Sequence, residues 1–334
     1  MAHVWAVRLA ARSRRRRGIA STYRVPAQKP RVPSALGWPV IVDCAPRLIG
    51  EPTMSSGDLG GLNAVSETLL IPLAARAMQP RAFPELHLDD PVAAGWADRL
   101  GADLGRFESD HATMRASCVR TLWFDDQCAA FIQRHPRAVG VSIGCGLNAT
   151  FVRLGRRVDT STVEWVDLDL PDVLSVRCEL EGQQPQQRLL AIEDETAAWV
   201  DRVPWTVGQP IILMAEASLV YVPLPIVQRT LARIADRFTA GGGPVAFVMD
   251  YCSPWMLRNA KRNASLKQTA GKATWAWSFR RSTDIEQLDS RYRFRSQIDI
   301  MRSCGRLPAV MSAAHRAMTR GRLAYAVARY DVCA

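Results

Sequence analysis

One stretch constrains the fold more than any other: Val139-Gly-Val-Ser-Ile143 running directly into Gly144-Cys-Gly146-Leu-Asn-Ala149. A short apolar run bounded by glycines reads as a buried strand. Two glycines in three residues then allow a tight turn and a close backbone approach to a ligand. The pattern fits the G-x-G-x-x-G/A fingerprint, in which free N–H groups at the start of the next helix face an adenosine cofactor. An acid is expected about 20 residues later to accept the ribose hydroxyls, and Asp167 and Asp169 both qualify. These features do not separate a dinucleotide from S-adenosylmethionine, and either aspartate also reads as a helix-capping carboxylate.

Apolar runs alternate with helical patterns around this motif. Strands are expected at 138–143, 162–166, 188–192, 210–216 and 245–251, with an amphipathic helix over 223–239 and another opening at Pro171. Such alternation indicates a parallel sheet covered on both faces. Helical spacing is also present at 65–78, 90–104 and 109–134, ahead of the first strand, and late strands are expected at 291–300 and 323–330. A second glycine turn is absent. A single nucleotide-binding half, helices in front of it and Glu216 ending the fourth strand in "MAEASLVYVP" argue against a two-halved dinucleotide enzyme.

Charge has to be located before it is interpreted. The 334-residue chain has a net charge of +11, but residues 1–53 hold ten Arg/Lys against Asp43 and Glu51. The remainder is therefore only +3, and the folded body is not expected to bind nucleic acid. The first 53 residues, with "RSRRRRG" and many prolines, are expected to be a disordered basic leader, and Met54 to begin the folded enzyme. Eight scattered cysteines without a C-x-x-C pair, and few histidines, predict a reduced chain without structural zinc. No uninterrupted apolar run is long enough for a spanning helix. The expected location is cytoplasmic, without a membrane.

Six segments occur in one order: "SETLLIPLAARA" (Ser66–Ala77), "RTLWFDD" (Arg120–Asp126), "VSIGCGLNATFVRL", "WVDLDLPDV", "MAEASLVYVP" and "WAWSFRRSTDIEQL" (Trp275–Leu288). Together they resemble the class I methyltransferases of the leucine carboxyl methyltransferase superfamily, in its bacterial branch of polyketide O-methyltransferases. The resemblance implies an α/β, Rossmann-like seven-stranded sheet with its last strand antiparallel, a helical cap over 54–137 and a methyltransferase domain over 138–334. It also implies S-adenosylmethionine as methyl donor. Gly144 and Gly146 would meet the methionine portion, Asp169 the ribose and Arg120 the cofactor carboxylate. Glu216 and Tyr221 would lie near the methionine end and the methyl group, and Asp194 near adenine. Two departures stand out: Ala217 replaces the usual glycine after the fourth-strand acid, and Asn148-Ala-Thr150 replaces the usual acid-Thr-Arg.

Methyl transfer is an in-line displacement, so the acceptor oxygen must be held close and aligned. A carboxylate is already ionised near neutral pH, whereas a phenol gains from a general base. Tyr221, His111 and His315 are the catalytic candidates. Residues 253–290 are expected to form a substrate or lid segment, with Trp255, Trp275 and Trp277 walling an acceptor pocket or simply packing in the core. Lys261, Arg262 and Arg280 would attract an anionic acceptor. The favoured function is O-methylation of a carboxylate or acidic hydroxyl on a small molecule, of the kind found in secondary metabolism. Methylation of a protein C-terminal carboxylate and a nicotinamide-dependent oxidation are the alternatives.

Overall fold

The computed structural model describes residues 66–181, 186–260 and 275–334. The expectations for 1–53, for a start at Met54, and for Lys261 and Arg262 lie outside the described residues. In chain order, α1 is Ser66–Ala82, α2 Ala93–Arg99 and α3 His111–Arg134. Then follow β1 (Val139–Ile143), α4 (Thr150–Gly155), β2 (Glu164–Asp169), α5 (Pro171–Glu181), β3 (Gln187–Ala191), α6 (Trp199–Arg202), β4 (Ile211–Ala215), α7 (Leu224–Phe238) and β5 (Val245–Cys252). The remainder is α8 (Pro254–Asn259), α9 (Ile285–Leu288), β6 (Tyr292–Asp299), α10 (Arg306–Met318) and β7 (Tyr325–Val332).

The seven strands form one sheet in the order β3-β2-β1-β4-β5-β7-β6. Strands β1 to β5 pair in parallel, and β7 is antiparallel to both β5 and β6. This is the class I methyltransferase sheet that the motif order implied. Because β1 sits between β2 and β4, the chain reverses direction across the sheet between β1 and β4. Ligands of open parallel sheets bind outside the carboxyl ends of the strands at such a point. Gly144 follows β1 and Glu216 follows β4, so the two sequence motifs meet there.

Strand alternation sends Val139, Val141, Ile143, Leu213 and Phe247 into one core with Ile226, Val227, Leu231, Ile234 and Phe238 of α7. Ile212, Met214, Ala246 and Val248 point the other way, onto Phe124, Cys128, Phe131 and Ile132 of α3. Helix α3, expected within a cap, is thus one face of the sandwich. Helices α1 and α2 pack outside it through Leu69, Leu73, Trp96 and Leu100. Gly140 is explained by its partner in β2: a Cβ there would come within 2.2 Å of the Trp165 ring.

Local boundaries differ from the sequence expectation where polar contacts decide. Helix α1 runs through Pro80 to Ala82 rather than stopping before it. The helix expected from Asp90 is only Ala93–Arg99, because Asp90 stays outside and accepts from the backbone N–H groups of Val92 and Ala93. Asp110 caps α3 by accepting from Thr113 N. Among the described residues, Cys118, Cys128, Cys252, Cys304 and Cys333 are free. Cys178 is disulfide-bonded, a departure from the all-reduced expectation. Among the described residues no group of His, Cys, Asp and Glu could hold a metal, and no helix is long and apolar enough to cross a membrane.

Candidate active site

A cavity of about 230 Å³ opens at the carboxyl ends of β1 and β4. Its floor is the turn from Gly144 to Asn148, with Ser142 beneath and Leu69 of α1 alongside. Gly144 and Gly146 have φ of 69° and 53°, the left-handed region that costs any other residue about 1–2 kcal/mol. A Cβ on Gly146 would also lie 2.8 Å from Leu69 Cδ2. The turn is therefore both strained for other residues and closely packed.

The turn is held from behind by buried groups. Asp169, fully buried at the end of β2, accepts from Gly146 N and from Leu170 N, each at 2.7 Å. Burial pushes its carboxyl up to about 6, against the lowering effect of these two N–H donors. Three buried arginines grip the turn's oxygens. Arg76 Nη2 donates to Leu147 O (2.5 Å), Arg177 Nη1 to Asn148 O (2.6 Å) and Gly146 O (3.3 Å), and Arg153 Nη1 to Asn148 Oδ1 (2.8 Å). Each arginine is in turn ion-paired: Arg76 with Asp90, Arg153 with Asp90 and Asp125, and Arg177 with Asp167.

Glu216 is the acid facing the turn. One of its oxygens accepts from Arg120 Nε (3.0 Å) and Thr121 Oγ1 (2.7 Å), and the other from Asn148 Nδ2 (2.9 Å). Arg120 Nη1 donates to the Tyr325 hydroxyl at 3.0 Å, which donates to Asp250 Oδ2 at 2.7 Å. Asp250 Oδ1 accepts from Ala217 N at 2.7 Å, which anchors the residue after Glu216 at φ 49°. Burial acts to lower the Arg120 pKa, but Tyr325, Glu216 and Asp250 overcome it and keep the guanidinium charged. Burial raises Asp250, opposed by Arg120 and the Tyr325 hydroxyl.

The far end of the cavity is apolar, lined by Ile71, Met256, Trp275, Ile300, Met301 and Pro308. Trp275 stacks on Tyr325 with ring centres 6.0 Å apart and contributes a hydrogen bond to the Tyr221 hydroxyl, which burial keeps protonated. Both tyrosines border the cavity.

The structure thus brings Arg120, Gly144, Gly146, Glu216, Tyr221 and Trp275 together around one cavity. The other expected residues lie elsewhere. Asp169 ends β2 outside the cavity lining, with both of its oxygens engaged by backbone N–H groups. Asp194 is exposed beyond β3, accepting from the N–H and hydroxyl of Thr196. His111 is exposed at the start of α3, and His315 is buried against Trp255; neither borders the cavity. Trp277 is a core residue whose Nε1 donates to Leu219 O, and Arg280 is exposed. Sequence reasoning missed Tyr325, Asp250, Arg76, Arg153 and Arg177. Asn148, set aside as a departure, is the residue that joins Glu216 to Arg153.

The cavity's donors and acceptors suit the amino-acid end of S-adenosylmethionine. A charged guanidinium matches a carboxylate, a carboxylate matches an ammonium, and the glycine turn lets the ligand approach the backbone. Comparison with known proteins agrees. The family model "Leucine carboxyl methyltransferase" matches residues 70–235. The tetracenomycin polyketide synthesis O-methyltransferase TcmP of Streptomyces glaucescens is 30% identical over 247 residues, 74% of this chain and 87% of that protein. Among solved structures, a DUF574 family protein from Streptomyces avermitilis aligns with a TM-score of 0.46 at 13% identity, covering 72% of this chain and 90% of its own. A geranyl diphosphate methyltransferase bound to S-adenosylmethionine aligns at 0.40 with 19% identity, covering 73% and 93%. The motif order, the sheet and the TcmP match agree, and the chain belongs to the superfamily of leucine carboxyl methyltransferases and their TcmP-like relatives, class I enzymes that use S-adenosylmethionine.

Proposed function

We propose that the protein O-methylates a carboxylate or acidic hydroxyl on an apolar small molecule, as in secondary metabolism. The supporting observation is the two-ended cavity: Arg120, Glu216 and the glycine turn at one end, Trp275, Met256, Ile300 and Met301 at the other. When bound, the cofactor supplies an electrophilic methyl group on a sulfonium. Arg120 would hold its carboxylate, Glu216 would accept from its ammonium, and Gly144 and Gly146 would give it backbone contact.

The remaining work falls to positioning. The apolar wall strips water from the acceptor and presents its oxygen toward the turn. Tyr221, held by Trp275, and Tyr325, held between Arg120 and Asp250, are the hydroxyls at the boundary between the two ends. Both of the candidate histidines stand away from the cavity, which favours an acceptor that arrives ionised.

Thermal melting tests the cofactor assignment: S-adenosylhomocysteine should raise the melting temperature and NAD should not. Labelled S-adenosylmethionine offered with a panel of aromatic acids and phenols then tests the acceptor. A carboxylate acceptor yields a methyl ester that releases labelled methanol in base, whereas a phenol yields a base-stable ether. Base-stable label on every product would overturn the carboxylate reading, and NAD stabilisation would overturn the cofactor assignment.

A further inference from the structure

Helix α10, Arg306–Met318, is amphipathic in the wrong sense for a soluble surface. Its inward residues are the polar Ser312 and His315. Leu307, Val310, Met311 and Met318 face outward, 71, 66, 40 and 79% exposed, with Ala314 and Ala317 exposed between them. Spacings of i, i+3, i+4, i+7, i+10 and i+11 put all six on one stripe along the helix. A continuous apolar stripe of this kind marks a contact surface. Ile300, Met301, Cys304 and Pro308, within or just before this helix, form part of the apolar cavity wall. The stripe is thus the outer side of the element that closes the acceptor end.

Asp299 accepts from Ser312 Oγ and Arg302 N on the inner side of the helix, and the exposed charges that flank the stripe are cationic. From Ile300 to Tyr330 the chain contains arginines and no acid. Arg302, Arg306, Arg316 and Arg320 are exposed, and none forms an ion pair among the described residues. Arg316 and Arg320 suit the negative end of the helix dipole, but Arg302 and Arg306 sit at its positive end, where cations are disfavoured. A second copy of the chain laid antiparallel on the stripe would place arginine ends against arginine ends. A parallel copy would do the same and would also align the dipoles. Complementarity instead requires an anionic surface with an apolar interior.

We propose that α10 docks on an anionic phospholipid surface, with its apolar stripe in the headgroup boundary and its arginines on lipid phosphates. A surface helix with an exposed apolar stripe and cations at its two ends lies in the plane of such an interface. It spans nothing, so the lack of a spanning helix among the described residues does not bear on it. The assignment rests on α10 alone and is independent of which oxygen is methylated.

The full chain is to be sedimented with phosphatidylcholine vesicles, and with vesicles that also carry phosphatidylglycerol. The variant Leu307→Ser/Val310→Ser/Met318→Ser is run beside it, with S-adenosylhomocysteine stabilisation as the folding control. The chain should partition onto the anionic vesicles, less so as salt rises, and the triple variant should partition about tenfold or more weakly. If that variant does not fold, Arg302→Gln/Arg306→Gln serves instead, and should lose part of the salt-sensitive binding. Failure to sediment with anionic vesicles overturns the proposal. So does undiminished binding by the variants, which would place the contact elsewhere, including the basic first 53 residues. A solution dimer that the triple variant dissociates would assign the stripe to a second copy.

Discussion

Replacing Arg177 with methionine should loosen the glycine turn from a position outside the cavity lining. The guanidinium is fully buried on α5 and donates to Asp167 Oδ2 at 2.7 Å and to the carbonyls of Asn148 and Gly146. It also lies over the Trp96 ring, 5.4 Å from its centre. Methionine approximates the aliphatic stem, so the change removes charge and hydrogen bonds more than volume. Breaking a buried pair from one side costs about 3–5 kcal/mol, because the remaining charge is stranded. Asp167 keeps Trp165 Nε1 at 2.9 Å and Gln187 Nε2 at 2.6 Å, which argues for the lower end. The two deprived carbonyls add about 1–3 kcal/mol each where water cannot reach them. A loss of about 4 kcal/mol or more is expected, a large share of the roughly 5–15 kcal/mol that holds a domain together. Urea unfolding followed by tryptophan fluorescence measures it, and S-adenosylhomocysteine titration should show weakened binding. Asp167→Asn combined with Arg177→Met should recover part of the loss, since the stranded charge is gone. A loss below about 1 kcal/mol, or unchanged cofactor affinity, would show that the turn keeps its shape without this clamp.

Four further outcomes follow from the same geometry. Asn148→Asp turns the donor 2.9 Å from Glu216 Oε2 into an acceptor; like charges at that range repel by several kcal/mol, about 4 at 4 Å in a protein-like medium. Cofactor affinity should therefore drop near neutral pH and recover as pH falls, and a pH-independent affinity would refute this. Ala217→Gly relieves a φ of 49°: strain of about 1–2 kcal/mol is removed against about 0.5–1 of added unfolded-state freedom, so the melting temperature should hold or rise. Tyr325→Phe removes the hydroxyl between Arg120 and Asp250, and about 1–3 kcal/mol of stability should go with it, seen in urea unfolding. For Asp169, burial pushes the folded carboxyl up to about 6 from the ordinary 3.8. The folded state then binds the extra proton between those values, and stability declines as pH rises through that window, by about 3 kcal/mol in all. Asp169→Asn should flatten that part of the stability-versus-pH curve, and an unchanged slope would assign it to another group.

The sheet was readable because its signals are periodic and local. Runs such as "PIILMAE" read as buried strands by their length and flanking residues, and their alternation with helices indicates a parallel sheet. Gly144, Gly146 and Glu216 were readable because β1 and β4 end where the topology reverses, which puts both motifs at one point. The arginine clamp was not. Arg76, Arg153 and Arg177 sit in helices where a lone arginine ordinarily means a solvated face, and their acids, Asp90, Asp125 and Asp167, come from three other places in the chain. Tyr325 was hidden for a similar reason: "LAYAVARY" announces a strand, but only the pairing of β7 with β5 sets its hydroxyl beside Asp250. Helix α10 misleads in the opposite direction, since its apolar spacing implies a core-facing stripe and the structure turns that stripe outward.

The departures at Asn148 and Thr150 acquire a physical meaning once the clamp is visible. An acid at 148 would face Glu216, and an arginine at 150 would stand beside Arg153, whose Nη2 is 3.3 Å from Thr150 Oγ1. Here both charges are missing together. Asn148 supplies one donor to Glu216 and one acceptor to Arg153, so a neutral amide bridges the acid in the cavity and the cation behind the turn. Arg153 is then free to pair with Asp125 and Asp90, and Asp90 also holds Arg76. The altered motif therefore keeps the turn's support while changing how charge is distributed beneath it. Glu216 thus faces Arg120, Thr121 and an amide rather than another carboxylate.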